Sequence, residues 1–161
     1  MFKFNFPKRA SAEQIAEQIA ELKIKKGEGL RLKKYKCSEG YDSIGYGFNL
    51  DANSITPEIA EMLFRLMFDP AVQDAKDFAG DVWNELNEVR QAVLIDMAYN
   101  LGRAGLFAMW TLRVGVREKR FDYAAKRMRS FLWYKQLQRF VKPPQIGRAE
   151  ELSRQMETGE I

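Results

Sequence analysis

The side chains available for chemistry in this chain are few. Its 161 residues include no histidine and a single cysteine, Cys37. Without an imidazole, Ser-His and Cys-His nucleophilic machinery is excluded. One thiol without histidine leaves no zinc site, so no metal is expected, and no intramolecular disulfide can form. Carboxylates, lysines, tyrosines, hydroxyls and the thiol remain. The most informative stretch runs from Glu28 to Gly47, where Glu28, Cys37, Glu39, Asp42 and Ser43 stand among Arg31, Lys34 and Lys36. Glu39 and Asp42 offer a spare carboxylate pair, but residues of this sort beside a turn are read as solvated. A thiolate at Cys37 is a candidate base or electrostatic partner. An unperturbed thiol is mostly neutral at pH 7, so Arg31, Lys34 or Lys36 would have to lie close enough to favour the charged form.

The elements that must position these residues follow from the pattern around them. Ser11 opens a helix, with Gln14 three residues on as a capping-box partner. Ile15, Ile19 and Leu22 recur at helical spacing and make one apolar face. That helix is expected to end near Gly27 or Gly29, which puts Glu28 at its last turn. Lys34–Cys37 and Tyr41–Phe48 read as two short strands around Ser38-Glu39-Gly40. Gly45 and Gly47 interrupt the second strand and suggest a bulge or a close approach. Thr56-Pro57-Glu58 then starts a helical region. Pro70 is expected to break or kink its first helix, with a second continuing to about Phe78. Residues 85–101 are apolar around most of the circumference, as in a central buried helix. Further helices are expected over 106–118, 121–136 and 147–158, the last after Pro143-Pro144. The domain reading is an irregular arm over 1–10 and a single domain over 11–161, with a β-lobe at about 30–55 and a helical body at 56–158. The fold class is α+β and mostly helical, a small β-hairpin lobe on a helical body with a cleft where the two meet.

Composition narrows the partners. Apolar residues make up 46% and charged residues 30%, which excludes disorder and fibrous repeats. The net charge is +4 and the pI about 9.2. That balance suits polyanions (nucleic acid, anionic membrane or an acidic bacterial wall) as well as a plain need for solubility. The basic, aromatic region Lys126 to Arg139, with Phe131, Trp133, Tyr134 and Phe140, carries no groove-reading or stacking motif, so a helix with a basic outer face explains it better than nucleic acid. Met1–Arg9 holds no unbroken apolar run and does not read as a secretory signal. No stretch is long enough to span a membrane, so no stable membrane insertion is expected.

The run Glu28-Gly29-Leu30-Arg31-Leu32-Lys33-Lys34-Tyr35-Lys36-Cys37, continuing through Ser43-Ile44-Gly45-Tyr46-Gly47, resembles the signature of the phage-lysozyme family of glycoside hydrolases. In that family a Glu-Gly at the end of the first helix leads into a hairpin, with an Asp, a Thr and Ile-Gly-x-Gly following in order. Cys37 stands at the Asp position and Ser43 at the Thr position. Two later blocks agree. Arg90 to Gly102 is similar to the family's central helix, and Trp133-Tyr134 followed by Gly147-Arg148-Ala149 is similar to its C-terminal end. The likeness covers about residues 13–158.

The resemblance implies a muramidase that hydrolyses the β-1,4 bond between N-acetylmuramic acid and N-acetylglucosamine in peptidoglycan, without a cofactor. Glu28 would be the general acid, its pKa raised by partial burial in a cleft. Cys37 and Ser43 would assist the attacking water, with inversion preferred over a covalent thiol route. Arg148 would approach the Glu28 carboxylate and orient it, and Tyr46 and Asn100 would bind or orient substrate. Phe48 occupies a position where the family often carries an acidic or histidine residue, so any ion pair there is lost. The implied setting is host-cell lysis by a monomeric endolysin that waits in the host cytoplasm and reaches the wall through holin-made holes. Three other readings stay open: a virion-borne lysozyme used at infection, a lysozyme-like glycan binder impaired by the Asp-to-Cys change, and a basic nucleic-acid-binding protein.

Overall fold

The computed structural model describes residues 11–138, 141 and 145–161. The arm expected over 1–10, together with Arg139, Phe140, Pro143 and Pro144, lies outside them. The element order is α1 (Ala12–Glu28), β1 (Arg31–Lys36), β2 (Asp42–Gly45), β3 (Phe48–Asn49), α2 (Pro57–Ala79), α3 (Glu88–Phe107), α4 (Trp110–Arg117), α5 (Phe121–Ser130), α6 (Leu132–Gln138) and α7 (Arg148–Thr158). A 3₁₀ segment, Gly80–Glu85, links α2 to α3. The fold is therefore α+β, mostly helical, with its small antiparallel sheet early in the chain. Among the described residues no helix is long and apolar enough to cross a membrane. The chain divides into two compact units, Met1–Thr56 and Pro57–Ile161.

The first unit holds α1 and the sheet. Ser11 caps α1 as its sequence predicts: its hydroxyl accepts from the Gln14 amide at 3.2 Å, and its own amide donates to the Gln14 side chain at 2.9 Å. No residue of α1 is buried, its apolar stripe included. The helix stops at Gly29, whose amide still donates to the Lys25 carbonyl at 3.0 Å while its ψ of 150° turns the chain outward. Three strands form where two were expected, in the order β1-β2-β3. The expected second strand divides at Tyr46-Gly47, which turns the chain back so that Phe48 pairs with Ile44. Cys37 falls just beyond β1 and begins the turn, accepting from the Gly40 amide at 3.0 Å.

The second unit holds the core. Phe78, Val93, Leu94, Met97, Leu106, Leu112, Val116, Met128 and Met156 are all fully buried. Four of these nine come from α3, in keeping with the all-round apolar pattern that marks it as central. Pro70 does not break α2, which runs through it. Proline removes one amide donor, and Leu66, whose carbonyl that donor would serve, is exposed, so water can serve it instead. Gly102 does leave the helical region, at φ 65° and ψ 170°, but a further turn carries α3 on to Phe107. The helix expected over 121–136 is two, divided at Phe131, where the backbone is extended.

Helix α7 is tied to α3 at its far end. Asn87 caps α3 by accepting from the Arg90 amide at 3.1 Å and donates its own amide to the Gly159 carbonyl at 2.8 Å. Arg90 donates to the carbonyls of Met156 at 2.9 Å and Glu157 at 3.0 Å. Its guanidinium lies 3.8 Å from the centre of the Phe121 ring. The last carbonyls of α7 thus find donors that its own backbone cannot supply.

Candidate functional site

In the first unit Glu28 is the last residue of α1, and it is exposed rather than partly buried as the sequence reading expects. The unit's sheet is too small to enclose a side chain at the helix end. The carboxyl is nonetheless packed on one side. A Cβ built on Gly47 would lie 3.0 Å from Glu28 Oε2 and 3.6 Å from its Cδ. The neighbouring Tyr46 ring stands under the Lys25 ammonium, 5.6 Å from it, so the β2–β3 turn meets the last turn of α1 at two points. Tyr46 is itself exposed and open to a ligand.

Register places the other two candidates. Tyr35 lies opposite Ser43, and Ser43 lies opposite Asn49, so these three share one face of the sheet. Beyond β1 the Cys37 amide donates to the Tyr41 carbonyl at 2.9 Å, which makes Cys37 the diagonal neighbour of Ser43. Such neighbours stand roughly 7–8 Å apart. Ser43 is buried at 2% exposure and Cys37 is half-buried as a free thiol. Sheet and turn therefore bring thiol and hydroxyl onto one surface.

The cations considered for the thiol have other partners. Arg31 stacks on Tyr35 at 4.4 Å. Lys34 and Lys36 each reach an oxygen of Asp42 at 2.9 Å. Asp42 is thus no idle turn residue, since its amide also donates to Asp51 at 2.8 Å. Hydrogen bonds from Lys36 and then Lys34 hold the Asp42 carboxyl below the ordinary aspartate range. Glu39 is exposed in the turn, as a solvated residue should be.

In the second unit Arg148, the first residue of α7, is committed to Asp96 of α3. Beside this pair lies a pocket of about 330 Å³ walled by Phe64, Phe68, Ile95 and Tyr99. Phe64 stacks on Phe68 at 5.1 Å and meets Tyr99 at 5.4 Å. Asn100 accepts from the Trp133 indole at 2.9 Å, which gives its side chain a structural anchor. Asp96, Phe64, Phe68 and Tyr99 escape the sequence reading as pocket residues. For Asp96 a signal existed, because a lone acid within the apolar run 92–99 needs a partner. For the aromatics there was none, because an apolar helical stripe reads as core. Among the described residues no three His, Cys, Asp or Glu side chains gather as a metal site.

Comparison with known proteins bears on this arrangement. The family model described as phage lysozyme matches residues 25–144, which span Glu28, the sheet and the central helix. The pre-baseplate central spike protein Gp5 of Enterobacteria phage T4 is 28% identical over 170 aligned positions. That alignment covers 89% of this chain and 28% of the spike protein, so the chain spans little more than a quarter of that relative's length.

Proposed function

We propose, since this chain belongs to the phage lysozyme family, that it is a muramidase which cuts the bond between N-acetylmuramic acid and N-acetylglucosamine. Family membership supports glycoside hydrolase activity and implies peptidoglycan as the substrate. The observation that carries the finer reading is the Glu28 carboxyl at the end of α1, exposed to substrate on one side and packed against Gly47 on the other.

Glycoside cleavage needs an acid for the leaving oxygen and a route for water to the opposite face of the sugar. Glu28 gives its proton to the glycosidic oxygen as the bond from the anomeric carbon breaks. Water beside the half-buried Cys37, with Ser43 buried next to it, adds to that carbon, and the configuration inverts. The water gives up one proton, to the Cys37 thiolate where it serves as base or to solvent where the thiol acts only electrostatically. The exposed Tyr46 contacts the glycan, whereas Arg148, paired with Asp96, and Asn100, bonded to Trp133, are held by residues of their own unit. The decisive experiment is clearing of chloroform-treated Gram-negative cells by the purified protein. Clearing that disappears in Glu28→Gln supports the enzyme. Glycan pull-down without clearing supports the impaired binder, and salt-sensitive DNA affinity with no effect on walls supports the nucleic-acid reading.

The biological setting has two versions. As an endolysin, a monomer would wait in the host cytoplasm for a holin to open its way to the wall. The likeness to a spike protein over most of this chain favours the other version, a lysozyme carried on the virion and used at infection. Detection of the chain in purified particles by mass spectrometry supports the virion version, and its presence only in lysates supports the endolysin.

A further inference from the structure

We propose that Gly47 is a positioning residue whose bare α-carbon is the seat that holds the Glu28 carboxyl for proton transfer. The inference rests on the reading of Glu28 as the acid and adds the feature that fixes its side chain.

Four glycines of the first unit, Gly29, Gly40, Gly45 and Gly47, share positive φ angles of 68°, 85°, 68° and 81°. All four therefore meet the same backbone requirement, which L-residues satisfy poorly. Three of them face open space: a Cβ built on Gly29, Gly40 or Gly45 meets nothing within 4 Å. Only at Gly47 would the methyl meet Glu28, at 3.0 Å from Oε2. That is inside the roughly 3.5–4.0 Å at which non-bonded atoms pack best. Either the carboxyl or the turn would have to move. The turn is poorly placed to yield, because Phe48 beyond it is paired with Ile44 and Tyr46 before it lies under Lys25. The carboxyl, at the end of three rotatable bonds, moves instead. The carboxyl has to give by only a few tenths of an ångström. Since shifts of about 1 Å cost on the order of a hundredfold in rate, this smaller misplacement of the acid costs about three- to tenfold. Glycan binding, made mostly by other groups, is spared.

The test compares Gly47→Ala with Gly40→Ala, whose φ is nearly the same but whose methyl would touch nothing. Each is made in the full chain and again with Glu28→Ala. Against purified peptidoglycan, Gly47→Ala should lower kcat about three- to tenfold with KM within about twofold, the signature of a contact that matters in the transition state. Gly40→Ala should leave both within about twofold. In thermal melts the penalty of Gly47→Ala should shrink when Glu28 is alanine, while that of Gly40→Ala should not. Equal kcat losses in the two glycine variants, or melting penalties at position 47 that ignore Glu28, overturn the seat. Should Gly47→Ala fail to fold, folding of Gly47→Ala/Glu28→Ala supports it and misfolding of that pair overturns it. A wild-type chain without hydrolysis but with coupled melting penalties overturns the enzyme reading alone and leaves the seat in place.

Discussion

Arg148 holds Asp96 with two nitrogens, Nε at 3.2 Å from Oδ2 and Nη2 at 2.8 Å from Oδ1, and so joins the start of α7 to the middle of α3. The arginine side chain is 50% exposed and the aspartate 29%, so water competes with the pair on its open side. An ion pair of this exposure contributes about 0–1 kcal/mol. Asp96→Asn and Arg148→Met are each expected to lower the unfolding free energy by less than about 1 kcal/mol in urea titrations. A loss above about 2 kcal/mol would mean that the pair is a pillar of the body rather than a feature of its surface.

Cys37 is tested by replacement with Asp, Ser and Ala. It adjoins Ser43 on one face of the sheet and turn, and its half-buried thiol is accessible. Cys37→Asp is expected to retain clearing activity, since a carboxylate can orient water as the family's usual residue does. Cys37→Ala is expected to lose most of it, about tenfold or more, as loss of an assisting group commonly does. Full activity in Cys37→Ala would remove the thiol from the mechanism.

Much of this was legible in the sequence, for identifiable reasons. The capping box at Ser11 and the apolar circumference of α3 are local signals, and both elements form where they point. The Glu28-Gly29 helix end was readable because a glycine at that position terminates a helix by its own geometry. What was not legible depends on which side chains and strands meet once the chain has turned. The third strand exists because Phe48 finds Ile44 across a glycine turn. The Asp42 ion pairs require Lys34 and Lys36 to project from the same face of β1. The Arg148–Asp96 pair joins residues 52 apart, and the aromatic wall beside it reads in sequence only as part of an apolar helix.

Acid sensitivity should arise from the contacts between α5, α6 and α7. Glu150 accepts from Arg129 through two nitrogens at 3.0 Å each and from the Tyr134 hydroxyl at 2.8 Å. The Arg129 bonds, followed by that of Tyr134, hold the Glu150 carboxyl below the ordinary glutamate range against the opposing effect of burial. The unfolded chain has a glutamate near its usual pKa of about 4.3 and so binds this proton more readily. The stabilisation is therefore full above that pH and is lost as pH falls through the lower, folded value. Melting temperature is expected to decline below about pH 4.5, and Glu150→Gln should flatten part of that decline while lowering the plateau. A variant with an unchanged acid limb would place the sensitivity elsewhere.

The far end of α7 supplies the sharpest stability prediction. Gly159 closes that helix in the left-handed region, at φ 76° and ψ 20°, with its amide donating to the Gln155 carbonyl at 2.8 Å. A side chain there meets two obstacles at once. The left-handed backbone costs an L-residue about 1–2 kcal/mol, and a Cβ would stand 2.6 Å from Arg90 Nη1 and 2.7 Å from Asn87 Nδ2. Gly159→Ala should therefore lose more than the backbone cost alone, about 2–3 kcal/mol in urea unfolding. Asn87→Ala should lose about 1–2 kcal/mol, because it removes the cap of α3 and the donor to the Gly159 carbonyl together. The two share a contact, so the double variant should lose less than the sum of the singles. Strict additivity, or a Gly159→Ala chain as stable as the parent, would show that Asn87 and Arg90 do not clamp the end of α7.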